Sequence, residues 1–532
     1  MNEMFSGTLR LARFTLRKER FYIIAWLSAF LLIASVMLIT FEHQFTEADL
    51  YGFLIMKDNP AHIALQGPFF EVDNFQVGHF YAIEMHLFTL VAVAIFNIFF
   101  IVKNTRGDEE QGRYEVLRSL PVGRLSNLNA VMLIIVAVNV LLAVSHGVLL
   151  SLLGISGITI VGAFFFGATL GATGIFFSAL TALLSQLFRS ARTVVGYAFI
   201  VLITSYLLRA LGDVTIEILS LISPLGLPQR AEVFVSNHIW PIIIMLIYGL
   251  ILYGLAYAFN IRRDIAQGLI PEKQGRSHAS IFLRSSLGLI WRQTRIVLLS
   301  WAIGLFGFGA AMGGILRDAE YIAGESGAFQ MLLPHSADFT AIELLVMYLN
   351  VGFVVICAAP VLIMIFKLIS EEKEGRVESI LSGAISRQHY LSGYILLALA
   401  TSFVMPFVTG FGLWFVSLVM MEYPLKFIST IHSIMVYVPS LWVMLGLGVF
   451  AVGIIPKASV LCWVYFVYIF IVGFFGDMLN MPKWSINLSP ISHVPQLPLE
   501  DMQLGTLVIL TLIALVLTAI GLIFYRKRDV GT

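Results

Sequence analysis

The chain has 532 residues, 59% of them hydrophobic and only 12% charged, with a formal net charge of +1. A water-soluble domain carries about 25% charged residues, so a chain this apolar could not cover its own surface in water. The near-zero sum says nothing about partners, of which no nucleic acid is expected, but the apolar residues gather into runs long enough to cross a bilayer, for which about 18 residues suffice.

The runs predict twelve spans and an all-α integral membrane fold. Basic residues precede the first run, 21–41. That run is too long for a signal-peptide core and has no small-x-small cleavage site, so it reads as a retained span. Residues Arg10–Arg20 mix bases with Leu and Phe. They predict an amphipathic helix on the inner leaflet, held by anionic lipid headgroups. Runs follow at 81–103, 128–152, 158–185, 193–211 and 238–261, the 158–185 run being long enough to be tilted or broken. After a Gly-, Pro-, Gln- and Ser-containing linker at 266–288, a second basic amphipathic stretch, Arg284–Arg295, leads into runs at 296–316, 341–367, 392–420, 434–455, 459–479 and 503–525. Cys357 and Cys462 lie inside apolar runs and read as small core residues, not a disulfide or metal pair.

Lys and Arg set the orientation. With the N-terminus cytoplasmic, Lys57, Arg209, Arg230, Arg317, Lys426 and Lys483 fall outside or at outer span ends, and the other 27 of the 33 fall on the cytoplasmic side. The outer loop 42–80 holds six acids against one base. Both termini are expected in the cytoplasm.

The chain reads as a duplication. After the second span stands RGDEEQGRYEVLRSLPVGR (106–124), and after the eighth ISEEKEGRVESILSGAISR (369–387). One offset of 263 pairs Glu109 with Glu372, Gly112 with Gly375, Arg113 with Arg376, Glu115 with Glu378 and Arg124 with Arg387. Arg17, Arg20 and Trp26 match Arg292, Arg295 and Trp301; Gly212-Asp213 matches Gly476-Asp477; Arg263-Asp264-Ile265 matches Arg528-Asp529-Val530. Six spans per half make these parallel repeats about an axis along the membrane normal. The expected parts are 1–265, the linker 266–288, and 289–532.

The repeated segment predicts a short cytoplasmic helix with one narrow apolar stripe, Tyr114, Leu117 and Leu120, matched by Val377 and Ile380. Asp108 or Ser370 would cap it, and the first copy would stop at Pro121. Its acid-rich polar face favours a protein partner over lipid alone. Glu84, Glu343, Asp213, Asp477 and His146 are ionisable groups in or at the ends of spans, and burial is costly enough to make each a candidate for the translocation path. Gly167-x-x-x-Gly171 and Gly309-x-x-x-Gly313 are close-packing patterns. No Gly-Lys dipeptide occurs, hence no phosphate-cradling P-loop. There is no His-Glu-x-x-His either, and Ser370-x-x-Lys373 stands without any accompanying catalytic motif. No catalytic or metal residue is expected.

The repeated helix resembles that of the membrane subunits of type 2 class ABC exporters, of general form Glu-x-x-x-Gly-(Thr/Arg)-x-Glu-x-Leu-x-x-x-Pro-(hydrophobic)-x-Arg. Here Glu109, one residue nearer the glycine than in that form, Gly112, Arg113, Glu115, Leu117, Pro121 and Arg124 stand in those roles, and Glu372, likewise one nearer, Gly375, Arg376, Glu378, Ile380 and Arg387 in the second copy, which departs at Ala384 where Pro is expected. The fused twelve-span form looks like bacterial permeases annotated for export of polyketides or other antibiotics. The resemblance implies a coupling helix in each half, docking on a separate ATPase, two copies per permease chain, that carries the ATP and Mg. It implies location in the bacterial cytoplasmic membrane and a hydrophobic or amphipathic small-molecule cargo. A secondary transporter of the major facilitator type is the alternative reading, and a membrane enzyme or scaffold the third.

Overall fold

The computed structural model describes residues 2–45, 53–264, 267–271, 278–316, 340–383, 385–475, 481–497 and 500–528. Ala384 and Asp477, together with Ile265, Asp529 and Val530 of the repeat, lie outside them. Among the described residues there are helices and no strands, and twelve helices are long and apolar enough to cross a membrane. In lipid a helix satisfies its own backbone, which is why so apolar a chain takes this form.

In the first half these are α1 (Thr8–Gln44), α2 (Val77–Asn104), α3 (Ser126–Leu153), α4 (Ile160–Leu187), α5 (Ala191–Val214) and α6 (Trp240–Arg262). In the second they are α7 (Ser286–Ile315), α8 (Ala341–Lys373), α9 (Arg387–Met420), α10 (Phe427–Met435 and Val438–Ile454), α11 (Ser459–Phe475) and α12 (Leu504–Lys527). Contacts divide the described residues into two compact units, the break falling between 271 and 278.

Local sequence explains the ends. Thr159, Ser285, Thr340 and Ser386 cap α4, α7, α8 and α9 with their side chains. Gly154 closes α3 in the left-handed region at φ 64°. Pro439 sits in the first turn of the second piece of α10, where it removes an N–H from the ladder and explains the break. The run 158–185 resolves to a single unbroken helix. The two amphipathic stretches are not separate α-helices; the first, and the second from Ser286 onward, continue into the span that follows as the first turns of α1 and α7, while Arg284 ends a short 3-10 turn before α7.

The glycine pairs pack. A Cβ at Gly167 would meet the Ala143 carbonyl oxygen at 2.1 Å, and one at Gly171 the Asn139 oxygen at 3.1 Å, so α4 presses backbone-close on α3. In the second unit Gly309 and Gly313 do the same for α7 against α9, facing the Thr409 and Leu413 oxygens at 2.1 and 2.4 Å.

Candidate functional site

After the second span of each half the chain bends on a glycine and resumes as a short helix. In the first half α2 ends at Asn104, a turn of helix covers Arg106–Glu110, and Arg113–Arg118 follows. In the second, α8 runs unbroken to Lys373 and Arg376–Leu381 follows. Gly112 and Gly375 take φ of 71° and 70° and precede each short helix. An added Cβ at either would meet nothing within 4 Å. Conformation, not crowding, is what asks for glycine there.

Two adjacent acids clamp each bend. The first acid bridges the glycine: Asp108 Oδ1 lies 3.0 Å from Arg113 Nη1, and Glu371 Oε2 lies 2.5 Å from Arg376 Nε. The same acid takes a donor from the first helix of its half. Lys18 Nζ reaches Asp108 at 2.9 Å, and Gln293 Nε2 reaches Glu371 at 3.4 Å. Lys367 adds an ion pair to Glu371 at 2.7 Å. The half-exposed Arg376 is held above its ordinary pKa by the hydrogen bond to Glu371.

The second acid ties the bend to the end of the last span. Glu109 pairs with Arg263 through both guanidinium nitrogens and with Arg106 Nη1 at 2.6 Å. Glu372 pairs with Arg528 Nη2 at 2.5 Å and accepts from the Tyr525 hydroxyl at 3.0 Å. Beyond each short helix an arginine returns to the same place. Arg124 donates to the Asn260 and Arg263 carbonyls at 3.1 and 2.6 Å, and Arg387 to the Arg528 carbonyl at 2.5 Å. A cation there satisfies carbonyls that a helix end leaves without partners.

The predicted stripe turns out differently. Tyr114 and Val377, matched by the repeat, are the inward residues, 6% and 0% exposed. Leu117 and Ile380 are half-buried against the core of their own unit. Leu120 is exposed, as is Val116. Glu115 and Glu378 are exposed, and so is Pro121. Neither Asp108 nor Ser370 caps a helix: Asp108 is in ion pairs, and Ser370 lies inside α8. The sequence reading missed Lys18, Gln293, Arg106, Arg263, Arg528 and Tyr525 as parts of this site. The repeated Arg-Asp closing each half, and the repeated basic stretch before each first span, were the available signals. Residues 4–6 were also missed. Gly123 N and Leu125 N donate to the Ser6 and Met4 carbonyls at 2.9 Å each, so the chain start holds the exit from the first short helix.

The candidates within the spans do not come together. Glu84 accepts from Gln66 Nε2 at 2.7 Å and stands 4.0 Å from His62 Nε2. Glu343, although it follows Ala-Ile like Glu84, closes a capping box with Thr340 at the start of α8. Asp213 is fully buried between Arg209 at 3.4 Å and Arg230 at 3.2 Å. Arg209 in turn donates to the Ile63 and Ala64 carbonyls at the C-terminal end of the helix Pro60–Gln66. His146 is fully buried between the rings of Phe30 and Phe166.

Twelve membrane-crossing helices, with a clamped bend repeated at one end of each half, define a polytopic α-helical membrane protein rather than a soluble one that happens to be apolar. A family model described as "Multidrug efflux system permease Rv1217c, C-terminal domain" matches residues 283–526. The Multidrug efflux system permease protein Rv1217c of Mycobacterium tuberculosis (strain ATCC 25618 / H37Rv) is 30% identical over 534 residues, 99% of this chain and 96% of the relative. The chain belongs to this family of multidrug efflux permeases.

Proposed function

We propose that the chain is the permease subunit of an ATP-driven exporter of hydrophobic or amphipathic compounds, with a separate ATPase dimer docked on its two bent helices. The observation that carries this reading is the doubled clamp. Each short helix offers an exposed glutamate outward, Glu115 or Glu378. The bend that precedes each is fastened by ion pairs or hydrogen bonds to the first helix and the end of the last helix of its half, through Lys18 and Arg263 or through Gln293 and Arg528. A push on such a helix is delivered to three spans rather than to a loop. The chain contains no Gly-Lys dipeptide, so ATP and Mg belong to the partner, two copies of it for two docking helices. Both termini and both bends then face the cytoplasm, on the side where Lys and Arg concentrate. The membrane is the bacterial cytoplasmic membrane.

The cleanest test is Glu115→Lys with Glu378→Lys. Both side chains are exposed, so stability should move by no more than about 0.5 kcal/mol. Charge-assisted contacts to the ATPase would reverse sign, and co-purification of the ATPase and drug export should fall tenfold or more. Leu117→Asp with Ile380→Asp is a weaker probe, because both residues also pack into their own unit. Retained partner and retained export in the double lysine variant would end the docking assignment. Export abolished by dissipating the proton gradient, with ATP intact, would end the ATP-driven one.

A further inference from the structure

At the end of α2 remote from the bend, the first unit contains a partly open cavity of about 40 Å³. Its wall includes Gln66, Phe75, His79, His86, Gln229 and Val233. Two of these carry polar atoms with nothing to bind. Gln66 and Gln229 are 8% and 7% exposed, and the Oε1 atom of each is buried without a hydrogen-bond partner. The amide orientations are fixed by the other ends: Gln66 Nε2 donates to Glu84 Oε2 at 2.7 Å, and Gln229 Nε2 donates to the Gln66 carbonyl at 2.8 Å. Rotating either amide would set oxygen against oxygen. Both unpartnered atoms are therefore acceptors.

The histidine adds a third. Thr169 Oγ1 donates to the Phe166 carbonyl at 2.6 Å, so its contact with His86 Nε2 at 2.8 Å must be one it accepts. His86 is then protonated on Nε2, and its Nδ1 is left as an acceptor on a ring that lines the cavity. No Lys or Arg is among the lining residues, and the nearby Arg209 is paired with Asp213. A buried acceptor without a donor costs stability. Two unpartnered amide oxygens on residues that line one cavity, with a ring nitrogen on a third, are complemented by a group that only donates.

Space around the site is built, not left over. A Cβ at Gly67, φ 123°, would stand 2.3 Å from Gln229 Nε2, so glycine there is what lets Gln229 reach its place. The loop carrying Val233 holds Glu232, Phe234 and Asn237 at positive φ, 49°, 66° and 53°. Such backbone persists only when its surroundings hold it.

We propose that this cavity is a recognition subsite for a primary ammonium group, three N–H donors on one positive nitrogen, borne by an amphipathic compound whose apolar body stays outside the cavity. The volume takes a group of methylammonium size; a drug-sized ligand occupies a pocket of roughly 300–1,000 Å³. The inference gives the efflux reading a substrate class and rests on that reading for its meaning. Binding is measured without turnover, so a failure of export alone would strike the efflux reading and leave this site standing.

The test uses the full chain in lipid nanodiscs, with n-butylammonium as the probe and tetramethylammonium as the control that keeps the charge and removes every N–H. Ligand-observed NMR should give binding of butylammonium at least tenfold tighter than of tetramethylammonium. Gln66→Met and Gln229→Met, similar in length, should each weaken butylammonium about tenfold and leave tetramethylammonium unchanged. Should either variant fold poorly, ¹⁵N-histidine spectra of the unaltered protein give the second measurement: butylammonium, and not tetramethylammonium, should shift the His86 Nδ1 signal. Equal binding of the two probes, equal binding by protein and variants, or no binding at all would overturn the proposal, the last making the cavity a water site only.

Discussion

The two ends of α2 and α8 behave differently. At the bend the halves are near copies. Asp108 and Glu371 bridge the glycine, Glu109 and Glu372 hold the last span, and Arg124 and Arg387 bind its final carbonyls. At the other end the copies part. Glu84 is tucked under Gln66 and His62, while Glu343 merely caps α8 from an exposed position. The glycine pairs part too, joining α3 to α4 in one unit and α7 to α9 in the other. What the halves share is the end that would meet two copies of one partner. What they do not share is the end where a cargo with no twofold symmetry could be read.

The comparison breaks most readily at the second acid. Arg263→Ala leaves Glu109, only 6% exposed, without its main cation. Breaking a buried pair from one side costs about 3–5 kcal/mol, so the thermal midpoint should fall by several degrees. Adding Glu109→Gln should recover part of the loss. Arg528→Ala should show the same pattern, milder because Arg528 and Glu372 are 14% and 9% exposed. A loss in one half with none in the other would mean the two clamps are not equivalent.

A smaller effect is expected from pH, and in the first half. Burial holds the His62 pKa down to about 4, against an ordinary 6.5. His62 is neutral in the fold, whereas the unfolded chain takes up a proton below 6.5. Its contribution is therefore complete above pH 6.5 and is lost as pH falls toward 4, by about 1–3 kcal/mol. Glu84 at 4.0 Å recovers some of it once the ring is charged. Hydrogen-exchange protection in Pro60–Gln66, taken relative to the intrinsic rate at each pH, should fall over that window, and His62→Phe should flatten the fall. Protection independent of pH in the unaltered protein would show that His62 does not hold this segment.

The smallest effect sharpens the likeness of the bends. Gly112→Ala and Gly375→Ala impose a positive φ on an L residue with no clash to relieve, at about 1–2 kcal/mol each. Equal losses in thermal stability are expected. Gly167→Ala should cost more, because there the obstacle is the Ala143 carbonyl oxygen and not the backbone angle.

The sequence by itself determined the membrane fold, the number of spans and the place of the short helix after the second span of each half. Those follow from composition, run length and an exact residue offset, which are properties of the chain read in order. It also named Gly112 and Gly375 as matched residues of the repeat, although their positive φ is known only from the structure. Only the tertiary structure decided what the acids do. Glu109 finds Arg263 some 150 residues away, as Glu372 finds Arg528, and no local pattern announces a pair closed between the second span and the last. The same holds for the inward residue of each short helix. A helix of six residues has too few turns for periodicity to tell Tyr114 from Leu117. The cavity was least legible of all, because its acceptors come from three distant segments, and an amide oxygen is left without a donor only once every neighbour has been placed.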